Sequence, residues 1–156
     1  MRVKRKDTNM ELYIGGFAQG KLSYVQQKKK EEKIPVGTII DCADPGYQEK
    51  LQSFSQLHDL ENGVLIVNHL HLWVRDLLTQ ESEEKRPENT AKETILLWAE
   101  EHPNTIFICD EIGNGIVPIE KIDRIWREQT GRLTVELANR AERVERILCG
   151  LSQRLK

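Results

Sequence analysis

The sequence predicts an α/β domain in which a mostly parallel sheet carries helices on both faces. Three observations lead there. Short apolar, β-branched runs recur at Leu12-Tyr13-Ile14, Ile39-Ile40, Val64 to Val67 and Thr105 to Cys109. Segments of helical apolar spacing separate them, and strands that alternate with helices pair in parallel through crossover helices. The run Val64-Leu65-Ile66-Val67 also lacks any polar alternation, as expected of a parallel strand buried on both faces.

Taken in order, Glu11 to Gly15 reads as the first strand and Lys21 to Lys33 as a helix that Pro35 stops. The charge run Lys28 to Lys33 reads as its solvated end. Gly37 to Cys42 is a second strand, bounded by Pro and Gly, and Asp44-Pro45-Gly46 is a turn. Tyr47 to Leu60 has apolar residues at 47, 51, 54 and 57, a helical spacing, before the turn at Asn62-Gly63 and the third strand. His69 to Leu78 is helical, with Leu70, Trp73, Val74 and Leu77 on one face. Residues 79 to 89 are charged and contain Pro87, and read as a loop or lid. Thr90 caps a helix through Glu101, and Thr105 to Cys109 is the fourth strand. After Gly113-Asn114-Gly115 a helix carries Ile119, Ile122, Ile125 and Trp126. Gly131 is expected to break it, with a further helix to about Glu142. Val144 to Leu148 is a last strand, and Gly150 turns the chain back.

Composition narrows the function classes. A chain of 156 residues suits one domain, read as residues 11–156, behind a disordered basic extension at residues 1–10 that holds Arg2, Lys4, Arg5 and Lys6. The net charge of −2 gives no general pull toward nucleic acid. No apolar run approaches the ~20 residues of a membrane span. The three cysteines, Cys42, Cys109 and Cys149, form no C-x-x-C, so they read as thiols of a reducing cytoplasm.

The stretch Gly15-Gly16-Phe17-Ala18-Gln19-Gly20-Lys21 carries the chemistry. Glycines let backbone N–H groups converge, and with the following helix N-terminus they form an anion cradle. Lys21 would reach the β- and γ-phosphates of a nucleotide as a point charge. The match to G-x-x-x-x-G-K-[ST] is incomplete, because Leu22 stands where a hydroxyl should meet Mg²⁺ and Ser23 comes one residue late. The same residues would suit a plain glycine turn before an exposed lysine; the strand before and the helix after favour a P-loop NTPase-like fold. Nucleotide-binding residues are then Gly15, Gly16, Phe17, Ala18, Gln19, Gly20, Lys21, Leu22 and Ser23. Phosphoryl chemistry asks for Mg²⁺ and an acid at a neighbouring strand end. Asp110 is the metal-ligand candidate and Glu111 the residue that would orient a nucleophile, although an acidic pair there would equally cap the next segment. Asn68 ends the third strand and is a poorer ligand for a hard cation. His69 and His71 do not share a helix face, so a metal pair is not expected; one of them would line the cleft. His58 and His102 are expected to face solvent.

Four segments resemble the adenosylcobinamide kinase/adenosylcobinamide-phosphate guanylyltransferase family of cobalamin nucleotide-loop assembly. Ile14 to Ser23 (IGGFAQGKLS) is similar to the family's GGARSGKS loop, and Val64 to Leu78 (VLIVNHLHLWVRDLL) to its strand with D-C-L-T-x-W-x-x-N. Asp110 to Pro118 (DEIGNGIVP) resembles N-E-V-G-x-G-I-V-P, and Arg124 to Ala138 (RIWREQTGRLTVELA) resembles R-x-F-R-D-x-x-G-x-x-N-Q-x-x-A. The departures are Leu22 and Asn68 at the usual metal-ligand positions, and His71, Asp76, Thr134 and Val135 at other motif positions. The family's guanylyl-accepting histidine, with its R-P and W-x-T elements, has no counterpart in residues 43–63, which hold only His58.

The resemblance implies transfer of a γ-phosphoryl group from ATP or GTP to the hydroxyl of adenosylcobinamide's aminopropanol arm, without guanylyl transfer. Lys21 and Glu111 would be catalytic, Mg²⁺ the cofactor, nucleotide and corrinoid the ligands, and a ring-shaped homo-oligomer, a trimer, the assembly. Two alternatives stay open at this point. One is a degenerate paralogue that binds nucleotide or corrinoid without turnover. The other is a P-loop NTPase of another substrate.

Overall fold

The computed structural model describes residues 9–54, 63–80 and 90–156. Their elements run β1 (Glu11–Gly15), α1 (Lys21–Glu31), β2 (Val36–Asp41), α2 (Tyr47–Ser53), β3 (Val64–Asn68), α3 (Leu70–Gln80), α4 (Thr90–Glu101), β4 (Thr105–Asp110), α5 (Lys121–Arg140), β5 (Arg143–Leu148) and β6 (Leu151–Arg154). One six-stranded sheet has the order β2-β3-β4-β1-β5-β6. Every pairing is parallel except β5 with β6.

This order decides which face each helix covers. From β1 the chain crosses to the far edge at β2, then steps back through β3, β4 and past β1 to β5. Right-handed crossovers put connections that move in opposite directions on opposite faces. The core follows that rule. α1 supplies Val25, with Leu22 and Tyr24, to a cluster with Tyr13, Ile66, Ile106, Ile108 and Ile147. The alternate strand residues Leu12, Leu65, Val67, Phe107 and Cys109 pack under α2, α3, α4 and α5 on the other face. All six residues of β4 are buried. The connections after β1 and β4 thus leave to opposite faces from neighbouring strands, which opens a crevice at their carboxyl ends.

Several expectations are corrected. A single helix runs through Gly131 without a break, and a Cβ there would meet nothing within 4 Å. A helical glycine costs about 1 kcal/mol relative to alanine; the buried residues Gln129, Thr130, Leu133 and Leu137 on its core face offset that. Ile119 precedes the helix and is exposed. The segment after Gly150 forms β6, hidden from the sequence because all four of its residues are exposed and show no alternation. Its turn has positive φ at both Cys149 and Gly150, as a two-residue hairpin of matching twist requires. Met10, placed by the sequence in the extension, is buried, and its carbonyl accepts a hydrogen bond from the Glu142 N–H. His102 is buried as well, stacked on Trp98 with ring centroids 4.0 Å apart, and its Nδ1 lies 2.7 Å from the Trp98 carbonyl oxygen. The helix expected through Leu60 ends at Ser53, with Phe54 in extended backbone, and Thr79 and Gln80 of the lid expected at 79–89 belong to α3. Residues 1–8, 55–62 with His58, and 81–89 lie outside the described residues.

The run Lys28-Lys29-Lys30 is not wholly solvated. Lys29 is 2% exposed, one turn beyond Val25 and two beyond Lys21 on the buried side of α1. Its Nζ donates to Glu11 Oε1 at 2.7 Å and to Glu32 Oε2 at 2.9 Å, while the Tyr13 hydroxyl donates to Glu11 Oε2 at 2.6 Å. Arg143 pairs with the other oxygen of Glu32 at 2.8 Å. This network fastens α1 to the amino end of β1, opposite the crevice.

Candidate active site at the carboxyl ends of β1, β3 and β4

The glycine loop leaves β1 at Gly15, whose register partner is Asp110 at the end of β4. Gly15 has no room for a side chain, since a Cβ would overlap the Ile147 carbonyl oxygen. Ala18 (φ 54°) and Gly20 (φ 80°) both take left-handed backbone, and Gly20 caps α1 by accepting a hydrogen bond from Tyr24 N–H. The loop is anchored to the β5–β6 turn. Cys149 N–H donates to Gln19 Oε1 at 2.8 Å, and Gly150 N–H to the Gln19 carbonyl at 2.9 Å. No sequence motif announces that anchor. Phe17 stands out from the loop, 83% exposed.

Lys21 curls back over the loop. Its Nζ donates to the Gly16 carbonyl at 2.6 Å and pairs with Asp110 Oδ1 at 2.7 Å, with both side chains nearly buried at 7% and 9% exposure. The loop lysine and the strand-end acid chosen from the sequence are therefore in contact. Glu111 diverges. Its N–H donates to the Gly15 carbonyl, but its carboxylate pairs with Arg146 of β5 at 3.1 Å. Ser23 is exposed, whereas Leu22 packs into the apolar cluster beneath α1, where a hydroxyl would find no such packing.

His71, on the first turn of α3, completes the surroundings of Asp110. Its Nδ1 accepts the Asp110 N–H at 3.3 Å, and Nε2 lies 3.6 Å from Asp110 Oδ2. Burial holds the His71 pKa below its ordinary value against the pull of Asp110, with His69, when protonated, and Lys21 adding to the depression. The accepted N–H requires a neutral ring with its proton on Nε2, facing the carboxylate. Trp126 of α5 stacks over this ring at 6.0 Å and donates its indole N–H to the His71 carbonyl at 2.6 Å. Cys109 next to Asp110 is wholly buried, and burial pushes its thiol up to about 12, which leaves it a protonated core group.

At the end of β3 a second cluster forms that the sequence reading missed. Asp41 of β2 is in register with Asn68, and His69 follows with φ 54°. Asp41 Oδ1 lies 2.6 Å from His69 Nδ1 and accepts the Ala43 N–H at 2.9 Å; Asp41 Oδ2 accepts from Asn68 Nδ2 at 2.9 Å. Burial opposes ionisation of Asp41, yet hydrogen bonds from His69, Ala43 and Asn68 hold its pKa below the usual carboxylate value. His69 and His71 meet edge to face, ring centroids 5.7 Å apart. Beside Asp110, a cavity of about 220 Å³ lies between the β4 loop and α5, lined by residues that include Glu111, Asn114, Arg127, Thr130 and Thr134.

Among the described residues no group of three or more His, Cys, Asp or Glu side chains is placed to hold a metal ion. Mg²⁺ does not need one, since one or two carboxylates with phosphate oxygens and water suffice. Asp110 meets that minimum, and the residues present fit the ion only in company with a bound nucleotide. Among the described residues no helix is long and apolar enough to cross a membrane.

A family model described as cobinamide kinase / cobinamide phosphate guanyltransferase matches residues 46–155, a span that starts after the glycine loop. The bifunctional adenosylcobalamin biosynthesis protein CobP of Pseudomonas aeruginosa is 31% identical over 93 residues, 59% of this chain and 53% of that protein. The chain thus spans about half the length of this curated relative. Among solved structures, the DnaC helicase loader aligns over 94% of this chain and 82% of its own, at 17% identity and a TM-score of 0.44.

Proposed function

The chain belongs to the cobinamide kinase / cobinamide phosphate guanyltransferase family, and from that premise we propose that it is a nucleotide-dependent kinase of cobalamin biosynthesis. It moves the γ-phosphoryl group of ATP or GTP to the aminopropanol hydroxyl of adenosylcobinamide. The observation that carries this reading is the meeting of Lys21, Gly16 and Asp110 in the crevice between β1 and β4. A nucleotide's phosphates take the place of Asp110 as the partner of Lys21, and the N–H groups of residues 16–22 hold them in line. Asp110 would then be free to hold Mg²⁺, which would neutralise charge on the phosphates. Glu111, fixed by Arg146, would order water beside that ion. The exposed Ile116, Val117 and Ile119 support a contact with a second copy; that the homo-oligomer is a trimer is what the family resemblance implies. Three free cysteines, two of them buried, support a cytoplasmic setting.

Two outcomes test parts of this reading. Mg²⁺ is expected to strengthen nucleotide binding in the native protein, and Asp110→Asn with Glu111→Gln is expected to abolish that gain in calorimetric titrations with and without the ion. A Mg²⁺ effect that survives both substitutions would place the metal elsewhere. Guanylyl transfer through a covalent histidine is expected to be absent, because such a route needs an imidazole held beside the α-phosphate. GTP labelled at the α-phosphate should leave no base-stable, acid-labile label on the protein. A labelled adduct would refute this, and its loss in His69→Ala or His71→Ala would identify the acceptor.

A second reading, a degenerate paralogue that binds without turnover, is favoured by Leu22 and Asn68 at the usual metal-ligand positions. A sharp rise in phosphoryl transfer on Leu22→Ser with Asn68→Asp would support it.

A further inference from the structure

We propose that His69, oriented by Asp41, is the general base that takes the proton of the acceptor hydroxyl during phosphoryl transfer. The inference rests on the kinase reading above and adds the group that activates the nucleophile.

The 2.6 Å contact between Asp41 Oδ1 and His69 Nδ1 suits an imidazole proton on Nδ1, a nitrogen that Asn68 Nδ2 also approaches at 3.2 Å. That leaves Nε2 with a free lone pair, and Nε2 makes no hydrogen bond among the described residues. The ring is 33% exposed, open enough to meet a ligand and buried enough to be held. A carboxylate behind one ring nitrogen with the other turned outward is the arrangement by which an oriented imidazole accepts a proton. The backbone adds a second observation. His69 takes φ 54°, a conformation that disfavours a side chain with a Cβ.

Placement supplies the third. β3 is two strands from β1, across β4, roughly 10 Å at ordinary strand spacing. His69 touches His71, which faces Asp110, which pairs with Lys21. These groups, Asp41 from β2, His71 from α3, Asp110 from β4 and Lys21 from α1, are the charged and titratable neighbours along that edge. A γ-phosphate on Lys21 would have β4 and then β3 on one side, and a hydroxyl that approached from that side would meet His69. His71 cannot serve in place of His69, since its Nδ1 accepts a backbone N–H and its Nε2 faces Asp110. The Glu111 carboxylate is turned toward β5 and held by Arg146.

The step balances. The acceptor oxygen forms a bond to the γ-phosphorus while the bond from that phosphorus to the β–γ bridging oxygen breaks, and a nucleoside diphosphate leaves. The hydroxyl proton passes to His69 Nε2, and the imidazolium returns it to solvent. Asp41 acts as a positioning residue.

The test uses the full chain with ATP or GTP, Mg²⁺ and adenosylcobinamide. His69→Gly removes the ring, suits the positive φ and leaves room for a small base. Its kcat is expected to fall by about 10²–10⁴-fold, the usual contribution of a general base, with the KM for nucleotide unchanged. Added free imidazole should restore part of the lost kcat. Asp41→Asn keeps the ring without its carboxylate and should lower kcat with KM for nucleotide again unchanged. This second variant decides the matter should the glycine variant not fold. Loss of kcat without rescue by imidazole, or native kcat in either variant, overturns the assignment of His69 and leaves the kinase reading standing. No phosphorylated corrinoid from the native protein overturns both.

Discussion

Lys21→Ala is expected to weaken the binding of both ATP and GTP, raising each Kd by roughly 10- to 150-fold, the equivalent of the about 1.5–3 kcal/mol of one charge-assisted contact. In the free protein Lys21 is already shared between the Gly16 carbonyl and Asp110 Oδ1, so a nucleotide gains it only by displacing Asp110. The alanine variant loses that contact and also leaves the Asp110 carboxylate facing the incoming phosphates without a cation between them. Titration calorimetry of the native and variant proteins measures the difference. Equal affinity for both nucleotides would remove the phosphate loop from the account, and with it the roles given to Asp110 and Glu111.

Lys29→Met carries the largest expected loss of stability. Breaking a buried ion pair by removing one partner costs about 3–5 kcal/mol, because the other charge is left buried and uncompensated. Here the stranded group is Glu11, which keeps the Tyr13 hydroxyl and the more distant charge of Arg143, whereas Glu32 is less enclosed and keeps its direct pair with Arg143. The loss should therefore fall near the lower end of that range, seen as a lowered denaturant midpoint at unchanged slope. Adding Glu11→Gln to Lys29→Met should recover part of it, since the two charges interact directly and their effects are not additive. A loss no greater than the ~0–1 kcal/mol of a surface pair would mean that Lys29 reaches solvent.

These two lysines mark what the sequence discloses and what it conceals. Lys21 is legible because it stands directly after Gly20 in a glycine loop between strand and helix, a context with few other uses. Asp110 is legible because β4 is buried throughout, and an unbroken apolar run ending in an acid stands out. Lys29 hides inside a charge run that composition marks as solvated. Only its spacing of four from Val25 and eight from Lys21, residues that are both buried, reveals the face it lies on. The pairing of Asp41 with His69 depends on the register of β2 against β3, which aligns strand ends separated by 27 residues, Asp41 and Asn68. No local pattern encodes it. β6 and the unbroken helix through Gly131 are hidden from the sequence for a related reason. Exposure erased the alternation of one, and packing of the flanking turns outweighed glycine's propensity in the other.

The central claim, that this crevice transfers a γ-phosphoryl group to a corrinoid, is tested most directly by following the label of γ-labelled ATP and of γ-labelled GTP. The native protein is incubated with Mg²⁺ and adenosylcobinamide, and the products are separated. The account predicts the label on the corrinoid for one or both nucleotides, together with an equal amount of nucleoside diphosphate, and neither product with Lys21→Ala. Label that remains in the nucleotide, or appears only as inorganic phosphate whether or not the corrinoid is present, would contradict it.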